Sequence, residues 1–176
     1  RELLALARNG YAVDACDPNA GYVAQAQRNL LDRRMPGRVL CAAPDGLPDG
    51  FDGSYEGMVL GWGMYTHIVG RDRRIALLRR LRGRAAAGAP LLLSFWTRNA
   101  LSRRERMQHG VAGFLAVCSL NSRRPEFGDD LNQQAFVHRF DETEISEELR
   151  EAGFRALSYS ATPYGHAVAI AADPTD

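Results

Sequence analysis

The sequence contains no lysine: all 22 of its basic residues are arginines. Beside so much alanine, this reads as a compositional habit of the source rather than as chemistry. Neither sign of charge is in excess, and a net charge of +1 at pH 7 exerts no global pull on nucleic acid or on an acidic membrane. Cysteine is scarce. Cys16, Cys41 and Cys118 are odd in number and far apart, which argues against a disulfide framework and a CxxC metal site. Such usage suits a reducing compartment, so a cytoplasmic location is expected. No apolar run is long enough to span a membrane. The opening stretch "RELLALARNG" lacks the apolar core and small-residue cleavage site of a secretory signal. HExxH, GxSxG and P-loop patterns are all missing, and His109, His138 and His166 show no metal-ligand spacing. Metal-dependent and hydrolytic chemistry are therefore weak readings.

What is present suits one soluble domain. The 176 residues, 45% of them apolar and 24% charged, are enough for a single core. "ELLALAR" reads as an amphipathic helix stopped at Asn9-Gly10, and "YAVDAC" as a buried strand. Asn19 is placed to cap a helix whose Val23, Ala26 and Leu30 share a face. "RVLCAA", "YEGMVLGW" and "LLLSFW" read as strands. A helix with Ile75, Leu78 and Leu81 on one face lies between the last two and ends at Gly83 or Gly88. "DETEISEELREAGF" has a capping-box pattern, Asp141 with Glu144, and a stop at Gly153. "FRALSYS" and "GHAVAIAA" close the chain. This alternation predicts an α/β fold with a doubly wound, mostly parallel sheet and an antiparallel C-terminal strand pair. One domain spans 1–176, and residues 97–138 read as an irregular insert or lid.

Asp17 raises the functional question. It ends a strand just before a helix opens, at the edge of an α/β sheet where ligands bind. A carboxylate there can accept hydrogen bonds from both hydroxyls of a ribose. Equally, it can cap the helix. The residues alone leave these two readings even.

Wider context resembles the class I S-adenosylmethionine-dependent methyltransferases. "ELLALARNGYAVDACDPNAGYVAQAQRNL" is similar to that family's first helix, second strand with its acidic ribose ligand, and second helix. "LPDGFDGSYEGMVLGWGMYTHI" resembles the approach to its fourth strand and the cofactor-side turn. "LLRRLRGRAAAGAPLLLSF" and "FDETEISEELREAGFRALSYS" resemble its later helix–strand units. The resemblance implies S-adenosylmethionine as cofactor and methyl transfer to a small-molecule acceptor. It makes Asp17 a ribose ligand, with Pro18 and Asn19 shaping the cofactor edge and the backbone at Ala42 and Ala43 near the adenine. Gly61 and Gly63 let the backbone pass close to a ligand. Trp62 and Tyr65 offer flat faces, Trp62 to the cofactor and Tyr65 to the acceptor. His67 is the candidate to orient the acceptor or take its proton, its structural alternative being a bond to a neighbouring turn.

Two departures from the family pattern stand out. Its first strand and Gly-rich loop are missing, so the sheet is expected to carry a gap, as in a fragment of a longer protein. The acidic residue usual before the Leu-Pro pair is also missing, since Ala43 holds that place. Asp45 is the nearest carboxylate, and "PDG" reads more simply as a turn. Within the insert, Met107, Phe114, Val117 and Phe127 are candidates for an apolar pocket, and Arg103, Arg104 and Arg106 for an anionic acceptor. Competing readings are a non-catalytic binding or partner protein of the same fold and a NAD-type oxidoreductase. An RNA methyltransferase using the arginines at 71–84 ranks last.

Overall fold

A computed structural model describes residues 2–98, 126–132 and 135–172. In chain order the elements are α1 (Glu2–Arg8), β1 (Asp14–Asp17), α2 (Ala20–Asp32), β2 (Arg38–Cys41) and β3 (Met58–Leu60). A 3-10 turn (Met64–His67), α3 (Arg71–Arg82) and β4 (Pro90–Thr97) follow. The chain closes with β5 (Asp129–Asn132), β6 (Ala135–Phe140), α4 (Glu142–Glu151), β7 (Phe154–Ser160) and β8 (Gly165–Ala171). Local signals explain most boundaries. Asn19 caps α2, Asp141 caps α4 through the Glu144 N–H, and Gly83 ends α3. No helix among the described residues is long and apolar enough to cross a membrane.

The strands form two sheets. In the first, β1 pairs in parallel with β2. The second runs β5-β6-β4-β8-β7, with β3 also on β4. The β3–β4 and β4–β6 pairings are parallel, whereas β4–β8 and β7–β8 are antiparallel, as the sequence leads one to expect of the closing pair. Among the described residues no strand bridges β1 and β3, so the sheet carries the expected gap. Side-chain bonds tie the two parts together instead. The Tyr55 hydroxyl donates to Asp14 at 2.8 Å, and Arg73 Nε donates to Asp45 at 2.7 Å.

Each sheet has its own core. Leu60, Leu91, Leu93, Phe95 and Ala169 pack against Leu77, Leu78 and Leu81 of α3 and Ile145 and Leu149 of α4. Ala7, Val23, Leu30 and Val39 form the smaller cluster, joined by Leu3 and Leu4. At Gly165, opposite Phe95, an added Cβ would lie 2.5 Å from the Phe95 ring, so the β4–β8 contact requires glycine there.

The described part of the 97–138 insert is not irregular. Asp129–Asn132 and Ala135–Phe140 form an antiparallel pair, and β6 joins β4 at Trp96 and Thr97. Met107, Phe114, Val117, Arg103, Arg104 and Arg106 lie outside the described residues.

Candidate functional site

The C-terminal ends of β1 and β2 meet first. Asp17 is paired with Cys41, Ala42 N donates to Asp17 O at 3.2 Å, and Cys41 Sγ lies 3.6 Å from Pro18 O. These bonds bring Asp17, Pro18, Asn19 and Ala42 to one edge. Ala43 sits in the turn beside them, its carbonyl accepting from Gly46 N at 2.8 Å. Capping of α2 falls to Asn19, whose Oδ1 accepts from Gly21 N at 2.9 Å and Tyr22 N at 3.2 Å. Asp17 Oδ1 accepts only from Asn19 N, at 2.7 Å. Its Oδ2 has no hydrogen-bond partner among the described residues, so Asp17 is not the helix cap. Asp45 pairs with Arg73, which holds its carboxyl below the usual range, and it serves as a tie between loop and helix.

A second group forms at the end of β3. Gly63 has φ of +65° and donates its N–H to Ser94 Oγ at 2.8 Å, while Ser94 donates to Leu60 O at 3.2 Å. Left-handed backbone favours glycine, yet Trp62 adopts it as well, at φ of +57°. Such strain in a non-glycine residue persists only where its surroundings hold it, and it clusters at functional sites. Here the Trp62 Nε1–H donates to Glu2 Oε2 at 3.0 Å, and Gly61 lies against the same carboxylate. The indole remains exposed.

Along the following turn the candidates separate. Tyr65, expected to face the acceptor, is fully buried. Its ring stacks on Phe140 with centroids 5.3 Å apart, and its hydroxyl donates to Glu148 at 2.5 Å. Burial and then the Glu148 charge push the phenol well above its ordinary pKa. Tyr65 is a core residue, because the short 3-10 turn rotates it inward against α4. His67 points outward. Its Nδ1 lies 2.9 Å from Phe136 O, and a carbonyl only accepts, so Nδ1 carries the proton. In the neutral ring that proton placement leaves the lone pair on Nε2, which has no partner among the described residues.

Two residues at this edge escape the sequence reading, Trp96 and Arg139. They are register partners across β4 and β6, with the Arg139 guanidinium 5.3 Å from the Trp96 ring centroid. The His67 ring meets Trp96 edge-on at 6.4 Å. Their one signal, an aromatic at the end of a strand, says nothing about a partner 43 positions away (139 − 96).

A separate polar cluster lies behind Tyr65. Arg74, His138 and Glu148 are each fully buried. Arg74 bonds Glu148 at 2.7 Å and Glu126 at 2.9 Å. His138 is held between Asp129 (Nδ1, 2.7 Å) and Glu144 (Nε2, 2.7 Å). Burial alone would lower the imidazole pKa, but the two carboxylates outweigh it and raise it. Glu126, Asp129 and His138 come close enough together to hold a metal ion. Both imidazole nitrogens are already bonded to carboxylates, however, and Glu126 accepts from Arg74 and from Arg71 N. The cluster is an ion-pair network and leaves no histidine lone pair for a metal.

No protein-family model matches the chain, and no curated protein matches it in sequence. Solved structures do match in fold. An S-adenosylmethionine-dependent methyltransferase from Methanosarcina mazei superposes with a TM-score of 0.71 at 17% identity, over 96% of this chain and 86% of that one. One from Clostridium acetobutylicum gives 0.67 at 9% identity, over 96% and 78%. The CcbJ methyltransferase from Streptomyces caelestis gives 0.68 at 12% identity, over 97% and 78%. With strands in this order and candidate residues at their C-terminal ends, the chain has the class I S-adenosylmethionine-dependent methyltransferase fold.

Proposed function

We propose that this protein binds S-adenosylmethionine and transfers its methyl group to a small-molecule acceptor. The observation that carries this reading is Asp17. Asn19 caps the helix, so one carboxylate oxygen stays available at the strand end where this fold binds ligands. Asp17 would hold the ribose, with Pro18, Asn19 and the Ala42–Ala43 backbone along the nucleoside and Gly61 and Trp62 on its other side. The residues present fit the nucleoside half of the group.

S-adenosylmethionine, when bound, would supply an electrophilic methyl group on a sulfonium, with the thioether as its leaving group. The protein's share is to align the acceptor and accept its proton. His67 suits the second role, because Phe136 O fixes the tautomer of the neutral ring and leaves Nε2 as the atom that can receive a hydroxyl proton. Its exposed edge faces solvent beside Trp96. The described cysteines, Cys16 and Cys41, are free thiols, in keeping with a cytoplasmic setting.

Calorimetric titration with S-adenosylhomocysteine tests the reading. We expect binding, weakened about tenfold or more in Asp17→Asn, since removing a charged hydrogen-bonding partner costs about 1.5–3 kcal/mol. No heat from the unaltered protein would overturn it.

A further inference from the structure

The edge beyond His67 holds two donor groups, the Arg139 Nη atoms and the Trp96 indole N–H, that bond no described residue. Arg139 and Trp96 face each other across the β4–β6 pairing. The Arg139 side chain is 41% exposed, and its described ionic contact is a loose one, Nε to Asp130 at 3.8 Å. Neither Nη atom bonds a described residue. Trp96 is also 41% exposed. Its backbone is fixed by Thr66 Oγ1, which accepts from Trp96 N at 2.8 Å, and its ring edge is fixed by Gly63, where an added Cβ would lie 3.1 Å from Nε1. The indole N–H has no acceptor among the described residues. Next to this stack stands His67, whose Nε2 has no partner among the described residues.

A flat aromatic surface, a guanidinium stacked on it with its outer nitrogens open, and a neighbouring base form a recognisable chemical set. The guanidinium matches a carboxylate, which it can bind through two parallel N–H donors. The indole matches a planar ring. The imidazole matches a hydroxyl.

We propose that Trp96 and Arg139 are the specificity-determining residues for the acceptor, and that this acceptor is an aromatic ring bearing both a carboxylate and a hydroxyl. Arg139 anchors the carboxylate, Trp96 supports the ring, and His67 receives the hydroxyl proton. The proposal rests on the methyl-transfer reading for its purpose, though the binding surface exists independently of it.

The test is calorimetric titration of the protein, saturated with S-adenosylhomocysteine and without it, using 2-, 3- and 4-hydroxybenzoate and the three matching amides. At least one acid should bind ten times more tightly than its amide. Arg139→Gln should abolish that preference and leave amide affinity within about twofold, while Trp96→Leu should weaken acid and amide together. Equal affinity for every acid and amide, no binding of either class, or a preference that survives in Arg139→Gln would each overturn the proposal. S-adenosylhomocysteine binding without acid binding would refute this inference alone. Acid binding without S-adenosylhomocysteine binding would refute the methyltransferase reading and leave the surface intact.

Discussion

Replacing Arg74 with methionine isolates the ion network that joins α3 to α4. Methionine keeps the aliphatic stem, so little packing is lost. The charge that leaves is the one holding Glu148, which is fully buried and, among the described residues, otherwise accepts only from the Tyr65 hydroxyl. Glu126 also loses its guanidinium partner, while its other oxygen keeps the Arg71 N–H. Removing one member of a buried ion pair costs about 3–5 kcal/mol because the remaining charge is uncompensated. Domains have about 5–15 kcal/mol of stability in total. At about 2–4 °C per kcal/mol for a chain of this size, the melting temperature should fall by about 6–20 °C. Thermal unfolding followed by circular dichroism reads this directly. A second substitution separates charge from packing: Glu148→Gln keeps an acceptor for Tyr65 and removes the orphaned charge. Arg74→Met/Glu148→Gln should therefore melt above Arg74→Met by several degrees, a coupling within the roughly 0.5–3 kcal/mol seen for contacting residues. A single mutant within about 3 °C of the parent, half the smallest fall expected, or a double mutant no better than the single, would refute the reasoning.

The same network sets a pH dependence. His138 has a raised pKa when folded, so its contribution is fully present below its ordinary value of 6.5 and is lost as pH climbs through the higher folded value. Asp129 is depressed despite burial, because His138 bonds it, so its share is lost as pH falls below 3.8. Urea midpoints should thus decline on the alkaline side, and His138→Gln should flatten that decline; an unchanged slope would refute the assignment. Gly165→Ala drives a methyl group into the Phe95 ring and should cost about 1–3 kcal/mol in a chemical melt, as overpacking does. Tyr55→Phe removes the bond to Asp14 made by a phenol whose pKa burial and that carboxylate push up to about 12. It should cost about 1 kcal/mol, and amide exchange should quicken in β1 and β2 while β4 and β8 stay protected.

What the sequence reveals is what neighbouring residues decide. The Asn19 and Asp141 caps and the positive-φ Gly153 lie within a few positions of the ends they govern and are found where the pattern puts them, and of the two glycines offered for the end of α3 the fold uses Gly83. Asp17 is ambiguous on the same local grounds, and the Asn19 cap removes one of its two readings, that of helix cap. The misplaced residues depend on distant partners. Tyr65 turns inward because Glu148 awaits it 83 positions away. β6 is hidden because "AFVHRF" carries an apparent polar fault, His138, that only Asp129, Glu144 and the pairing with β4 make tolerable.

The arginines show the same division most clearly. As a string, residues 71–84 look like a basic helix with a solvated face. In the fold, Arg71 meets Glu151, Arg73 meets Asp45, and Arg74 is buried among Glu126, Glu144 and Glu148. Arg79, Arg80 and Arg82 donate to the carbonyls of Glu151, Asp45, Gly153 and Ala172, and Arg84 lies 3.5 Å from Asp52. The helix directs its guanidinium groups to its own protein, where they hold α4, β7 and the loop after β2. Arg139 differs from them in the one respect that matters for recognition. Among the described residues its carboxylate partner, Asp130, is loosely placed, and its outer nitrogens bond nothing on the edge that His67 shares.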